Sequence, residues 1–302
     1  MPITTKVRIP GTTANCGAGF DAVGMACTIY NDLELTLTEN GKLSIEIFGE
    51  GKDAIPADER NIVWKAIQTV LKKVGMSYSG IHIKMNNHIP LARGLGSSAA
   101  AIVAGLVAAN TATGTRLNKH ELLTMATALE GHPDNVAPAI FGGIVVSIMR
   151  GKDVQSLRFM PPEPLTMVVA VPDFTLSTKT SREVLPLKVP MKDAVFNVSR
   201  TALLVSALCQ GEFGFLKYAL DDKLHQPYRQ KLIPGMQDVF QAAQLQGAFG
   251  SVISGAGPSI IAFTQQNAEA IGNAMVNAFK AYKISSHYLI LDIDADGAKN
   301  IT

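Results

Sequence analysis

The 302-residue sequence has no run of basic residues, no long apolar stretch and only three cysteines, and each shortage removes a class of protein. Its 27 basic and 25 acidic side chains are scattered and leave a formal charge of +2, so nothing points to nucleic acid or to an anionic membrane surface. The longest apolar stretch, residues 99–109, is too short to cross a bilayer. Cys16, Cys27 and Cys209 are odd in number and lack metal-type spacing, which argues against a disulfide framework and for a reducing compartment. Residues 1–7 contain no apolar signal core. A cytoplasmic protein with no nucleic-acid and no membrane partner is therefore expected. Charged residues are sparse at 17% and apolar residues reach 47%, the balance of an ordered globular chain with a core large enough for two domains.

Periodicity outlines the elements. Val7 and Ile9 predict a short strand running into a polar loop over residues 10–24. Leu33, Leu35 and Leu37 alternate with polar residues, as do Leu43, Ile45 and Ile47 after Asn40-Gly41. This predicts a β-hairpin closed by a strong short turn signal. Helical spacing marks residues 61–74, stopped by Gly75, and a helix that begins near Ser98. Further helices are predicted from Asn118 to Leu129 and over residues 194–208, 236–245 and 268–282. Strands are predicted over residues 81–85, 144–148, 167–171, 251–254, 260–264 and 288–293. The polar, proline-containing region 150–164 is the predicted boundary between a domain of residues 1–155 and one of residues 156–302. Hairpins mixed with crossovers predict the α+β class.

Chemistry concentrates first at Pro90, Leu91, Ala92, Arg93, Gly94, Leu95, Gly96, Ser97, Ser98, Ala99 and Ala100. Gly94 and Gly96 let the backbone approach a ligand, and an alanine-rich helix follows whose unpaired N–H groups point back at the turn. The competing reading is a tight turn feeding a buried helix. A Walker loop is excluded because no lysine follows Gly96. A dinucleotide loop fits the spacing to Ala99 but not the context: Pro90 separates it from the strand, and no acidic residue stands near the ribose position. Glu130 falls at a helix C-terminus, where a carboxylate opposes the dipole and calls for a cation or metal, unless it is simply an exposed terminal residue. His132, Asp134 and Asn135 crowd a proline turn, and Asn15 and Asp21 flank a glycine-containing loop; both patterns also suit ordinary turn chemistry. Gly255-Ala256-Gly257 reads as a hairpin turn or as a second backbone approach to ligand.

The order of these segments is more specific than any one of them. IPGTTANCGAGFDAVGMA, PLARGLGSSAAA and SGAGPS resemble three motifs of the small-molecule kinase superfamily of galactokinases, homoserine kinases, mevalonate kinases and phosphomevalonate kinases. Asn15 with Gly17 to Asp21, Glu130 to Asn135, and Ser177-Thr178 with Arg182 are similar to the homoserine kinase pattern within it. Cys16 and Ala18 depart from the more usual Leu and Pro. The resemblance implies an N-terminal domain like the second domain of ribosomal protein S5 and a ferredoxin-like C-terminal domain. It further implies ATP phosphates on the loop from Gly94 to Ser98, the base near Asn61 and Val63, and Mg²⁺ on Ser98 and Glu130. L-Homoserine would then lie among Asn15, Asp21, His132, Asn135, Thr178, Arg182 and Arg229, and a homodimer is the family expectation. The chemistry of these residue types agrees: arginines suit a carboxylate, Asp21 an ammonium and an uncharged Asn135 a hydroxyl. Mevalonate kinases place an aspartate base where Asn135 stands, so phosphoryl transfer without a protein base is expected.

Overall fold

The structure, a computed structural model, describes residues 2–302. Two long antiparallel strands open it, β1 (Ile3–Ala14) and β2 (Val23–Thr38), with a bulge at Pro10/Gly11. Next come β3 (Leu43–Gly49), α1 (Ile62–Val74) and β4 (Gly80–Asn87), then α2 (Ser97–Ala112), α3 (Lys119–Glu130) and α4 (Pro133–Phe141). Strands β5 (Ile144–Arg150) and β6 (Asp153–Phe159) pair with each other, and β5 joins β2 at Val23, Gly24 and Met25. The second sheet starts with β7 (Thr166–Pro172), followed by α5 (Thr178–Glu183), α6 (Met191–Gln210), α7 (Leu216–Ala219), α8 (Gln226–Arg229) and α9 (Met236–Leu245). It is completed by β8 (Gly250–Ile253), β9 (Ile260–Thr264), α10 (Ala268–Ala281) and β10 (Ser286–Leu291), in the antiparallel order β10-β7-β9-β8. A last short strand, β11 (Lys299–Asn300), returns to pair with β1.

Local chemistry explains the main helices. Asn61 caps α1 by accepting from Val63 N, Gly75 ends it in the left-handed region, and Val63, Ala66, Ile67, Val70 and Leu71 face the core. A capping box between Asn118 and Glu121 starts α3. Helix α2 contains no charged residue and is buried on nearly every side, packed between the first sheet and α1 and α3. In the second sheet Met167, Val169 and Val171 face one core while Val168 and Ala170 face the other, against α9 and α10. Burial on both faces makes these strands read as continuous apolar runs.

Two expectations are corrected. Strands β2 and β3 do not form a hairpin: β4 lies between them, antiparallel to β2 and parallel to β3, with α1 as the crossover. Ile81, Ile83 and Met85 of β4 are almost fully buried, whereas Leu43, Ile45 and Ile47 are only partly so, and the deeper apolar strand takes the central position. The loop over residues 10–24 shrinks to residues 15–22, because Thr12 and Thr13 continue β1 as fully buried β-branched residues. Within region 150–164, Asp153–Phe159 form β6 of the first sheet, and the chain crosses to the second sheet after Phe159.

Candidate active site

A cleft of about 470 Å³ opens where the start of α2, the loop over residues 15–22 and the Gly255-Ala256-Gly257 turn converge. Its position follows from close backbone packing. The bend before α2 places Ala92, Gly94 and Gly96 at positive φ. A Cβ on Gly94 would lie 2.1 Å from Ser254 O, and one on Gly96 would lie 1.9 Å from Thr12 Oγ1. Ser254 Oγ donates to Gly94 O at 2.5 Å, and Thr12 N donates to Leu95 O at 3.1 Å. The two glycine motifs are thus packed against each other, and Gly255-Ala256-Gly257 is the second backbone approach rather than a free turn.

Helix α2 makes its first intrahelical bond from Ala100 N to Gly96 O, and Gly96 offers no capping side chain. The N–H groups of Ser97, Ser98 and Ala99 have no intrahelical partner at the end where the dipole is positive. Ser98 Oγ donates to Glu130 Oε2 at 2.9 Å across the mouth of the cleft. Burial pushes the Glu130 carboxyl above its ordinary value, and the Ser98 hydrogen bond only partly offsets this. Two hard oxygens beside orphan N–H groups form a donor set suited to Mg²⁺ shared with phosphate oxygens and water. Among the described residues no group of three His, Cys, Asp or Glu side chains forms a self-sufficient metal site.

Across the cleft lies a polar cluster. Arg182 holds Asp21 through two bonds, Nη2 to Oδ1 at 2.8 Å and Nη1 to Oδ2 at 3.1 Å. Asn15 accepts from Asp21 N and donates to Gly255 O, tying the first loop to the second glycine motif. His132 Nδ1 and Asp134 Oδ1 lie 2.6 Å apart, and this bond is the main cause that raises the imidazole above its usual value. Asn135 Oδ1 accepts from Thr12 Oγ1 at 2.9 Å, and Thr178 begins α5 at the rim. Arg229 is 1% exposed. Its guanidinium donates to Ser181 O, Gly255 O and His225 Nδ1, and among the described residues it has no carboxylate partner. Burial, and then the neighbouring Arg182, lower it to about 10. A buried cation with only neutral partners, facing a cleft, favours an anionic ligand.

The cleft brings together Asn15, Asp21, Asn61, Leu91 to Ser98, Glu130, His132, Asn135, Thr178, Arg182 and Arg229. Pro90, Ala99 and Ala100 instead support the loop from the buried side, and Val63 points into the core with its N–H taken by Asn61. The Arg93 side chain turns away from a phosphate role, donating to the carbonyls of Leu91, Pro172 and Asp173. Sequence reasoning missed Thr12, Asn31, Ile55, Met85 and Asn87, of which all but Thr12 line the cleft. Ile62 also lines it, beside Asn61. Asp134, read from sequence only as part of a crowded proline turn, is buried in the cleft wall.

Comparison with known proteins points to one family. The model of the GHMP kinases N terminal domain matches residues 61–143, and that of the GHMP kinases C terminal matches residues 204–281. A homoserine kinase of Moorella thermoacetica is 49% identical over 92% of this chain and 93% of its own. One of Carboxydothermus hydrogenoformans is 44% identical over 97% and 95%. The crystal structure of homoserine kinase from Cytophaga hutchinsonii superimposes with a TM-score of 0.91 at 32% identity, covering 99% of this chain and 98% of that one. Identity of this extent along the whole length, on one fold, makes the chain a member of the homoserine kinases within the GHMP kinase family.

Proposed function

We propose that the chain transfers the γ-phosphoryl group of ATP to the side-chain hydroxyl of L-homoserine, forming O-phospho-L-homoserine on the route to threonine. The observation that carries the substrate reading is Arg229, a buried cation without a carboxylate, set beside Asp21 in a cleft that also receives the start of α2. A substrate with a carboxylate, an ammonium and a hydroxyl matches Arg229, Asp21 and Asn135 in turn. Mevalonate has no ammonium for Asp21. Arg182, already paired with Asp21, sets the orientation of that acid.

In this reading the nucleotide phosphates lie on the N–H groups of residues 94–98, with the base toward Asn61 and Ile62. Ser98 and Glu130 would hold Mg²⁺, which neutralises charge on the phosphates when bound. Asn135, fixed by Thr12, aims the hydroxyl oxygen at the γ-phosphorus. The new P–O bond forms as the bond to the β-phosphate oxygen breaks, ADP leaves, and the hydroxyl proton passes to an oxygen of the transferred group. A loose transition state asks little of a base, so alignment and charge stabilisation carry the rate. Asp134 Oδ1 is already engaged by His132, which supports a reaction without a dedicated protein base.

An ADP-release assay with homoserine, mevalonate and a hexose side by side tests the assignment. Turnover confined to homoserine is expected. Turnover on mevalonate at comparable kcat/KM would transfer the chain to another branch of the family.

A further inference from the structure

The interior holds a histidine that the proposed reaction does not use. His225 is fully buried at the start of α8, four residues before Arg229. Its ring stacks on Phe20 with centroids 5.0 Å apart and planes inclined by 18°. Nε2 lies 2.8 Å from Gly17 O, and Nδ1 lies 3.1 Å from Arg229 Nη1. A carbonyl oxygen only accepts and a guanidinium only donates. Only one form of the ring satisfies both neighbours: the neutral tautomer with hydrogen on Nε2 and a lone pair on Nδ1.

We propose that His225 is a positioning residue for Arg229, holding the guanidinium toward the substrate carboxylate through the Nδ1 lone pair while Nε2–H anchors the ring to the loop over residues 15–22. This rests on the reading of Arg229 as the carboxylate ligand. The surroundings enforce the tautomer. Burial lowers the imidazole to about 4, aided by Arg229 and opposed by Asp222, the Gly17 carbonyl and Asp21. Asp222 Oδ2 lies 3.6 Å from Nε2, on the side where the ring carries its hydrogen, and the carboxylate accepts from the N–H groups of Leu224, His225 and Gln226, fixing the backbone from which both His225 and Arg229 project. Phe20 lies under His225 on one hand and within 5.5 Å of the Arg229 guanidinium carbon on the other, so one loop packs against both groups. Charge-assisted hydrogen bonds are directional, and removing the acceptor leaves one Arg229 N–H unpaired in a buried place.

Two replacements divide the ring into its halves. His225→Asn puts an amide oxygen where Nδ1 was, keeping the acceptor for Arg229 and losing the bond to Gly17. His225→Gln reaches Gly17 with its amide nitrogen and loses the acceptor. The Gln variant is expected to raise KM for homoserine about tenfold, the loss of one charge-assisted bond, with KM for ATP unchanged. The Asn variant is expected to stay within about threefold of the parent on the same scale. The preference for homoserine over 3-aminopropan-1-ol, which lacks the carboxylate, should narrow by about the same tenfold in the Gln variant only. Equal losses in both variants, or equal losses on both substrates, would reduce His225 to a packing residue. A nitrogen-15 spectrum of the free protein is expected to show the His225 ring neutral, with hydrogen on Nε2, from pH 5 to pH 8. Hydrogen on Nδ1 would overturn the inference directly. The spectrum requires no substrate, so it separates an error here from an error in the proposed reaction.

Discussion

At the scale of single residues, Glu130 carries an electrostatic cost that the proposed Mg²⁺ role would account for. Its carboxyl is raised by burial, so the folded state holds the proton more tightly than the unfolded chain. Stability from this group is therefore lost as the pH rises from its ordinary value through its raised folded value, and the penalty persists at neutral pH. Glu130→Gln removes the charge and still accepts from Ser98. Its Tm at pH 7, without ligands, is expected to equal or exceed that of the parent, while kcat falls by at least ~10²-fold and Mg²⁺ with ATP no longer raises the Tm. A lower Tm with activity retained would return Glu130 to a structural role. Asn135 makes the opposite kind of case, a neutral group where related kinases use an acid. Asn135→Asp removes a donor and sets a second carboxylate beside Asp134, so kcat is expected to fall roughly tenfold or more across neutral pH. A strong gain in kcat, with a new rising limb in its pH profile, would overturn the base-free reaction.

At the scale of elements, the glycine loop shows what sequence conveyed and what it withheld. Its two glycines, the missing lysine and the apolar helix behind them were legible, because turn chemistry and helix capping are local. That Gly96 rests on Thr12, and that Thr12 in turn holds Asn135, was not legible, since those residues are far apart in the chain. The same limit hid Arg93's bonds to Pro172 and Asp173, the pairing of Arg182 with Asp21, and the insertion of β4 between β2 and β3. Alternation reveals which face of a strand is buried but never its neighbour. A pair of substitutions turns this contact into a prediction. Gly96→Ala adds left-handed strain and a Cβ 1.9 Å from Thr12 Oγ1, whereas Gly75→Ala adds the same kind of strain with nothing within 4 Å. Gly75→Ala should lose about 1–2 kcal/mol of stability in chemical denaturation, and Gly96→Ala more than that, because Thr12 must also shift. Only Gly96→Ala should also raise KM for ATP and lower kcat together, because displacing Thr12 disturbs Asn135 as well as the loop. An effect on KM for ATP alone would uncouple the two.

At the scale of the whole molecule, the two sheets are not separable modules. One continuous apolar core includes Leu35, Ile83 and Val103 from the first half together with Met167, Val169, Ile261 and Phe263 from the second. The chain also returns at its end: β11 pairs with β1, Gly143 N donates to Asp294 O, and Ala298 N donates to Ala139 O. The cleft is built from both halves in the same way, with Asn15 and Gly94 held by Gly255 and Ser254. Cutting after Phe159 would expose the inner faces of β7 and β9 and remove the strand that covers β1, a loss of apolar burial too large for a marginally stable fold to absorb. Unfolding followed by calorimetry and by circular dichroism should therefore give one coincident transition, and a fragment of residues 1–159 should fail to give a cooperative one. Because the proposed ATP and homoserine sites span the same junction, each ligand is expected to raise that single Tm in proportion to the logarithm of its concentration above Kd. Two transitions, only one of which shifts with ligand, would mean that the halves fold separately and that the cleft lies within one of them.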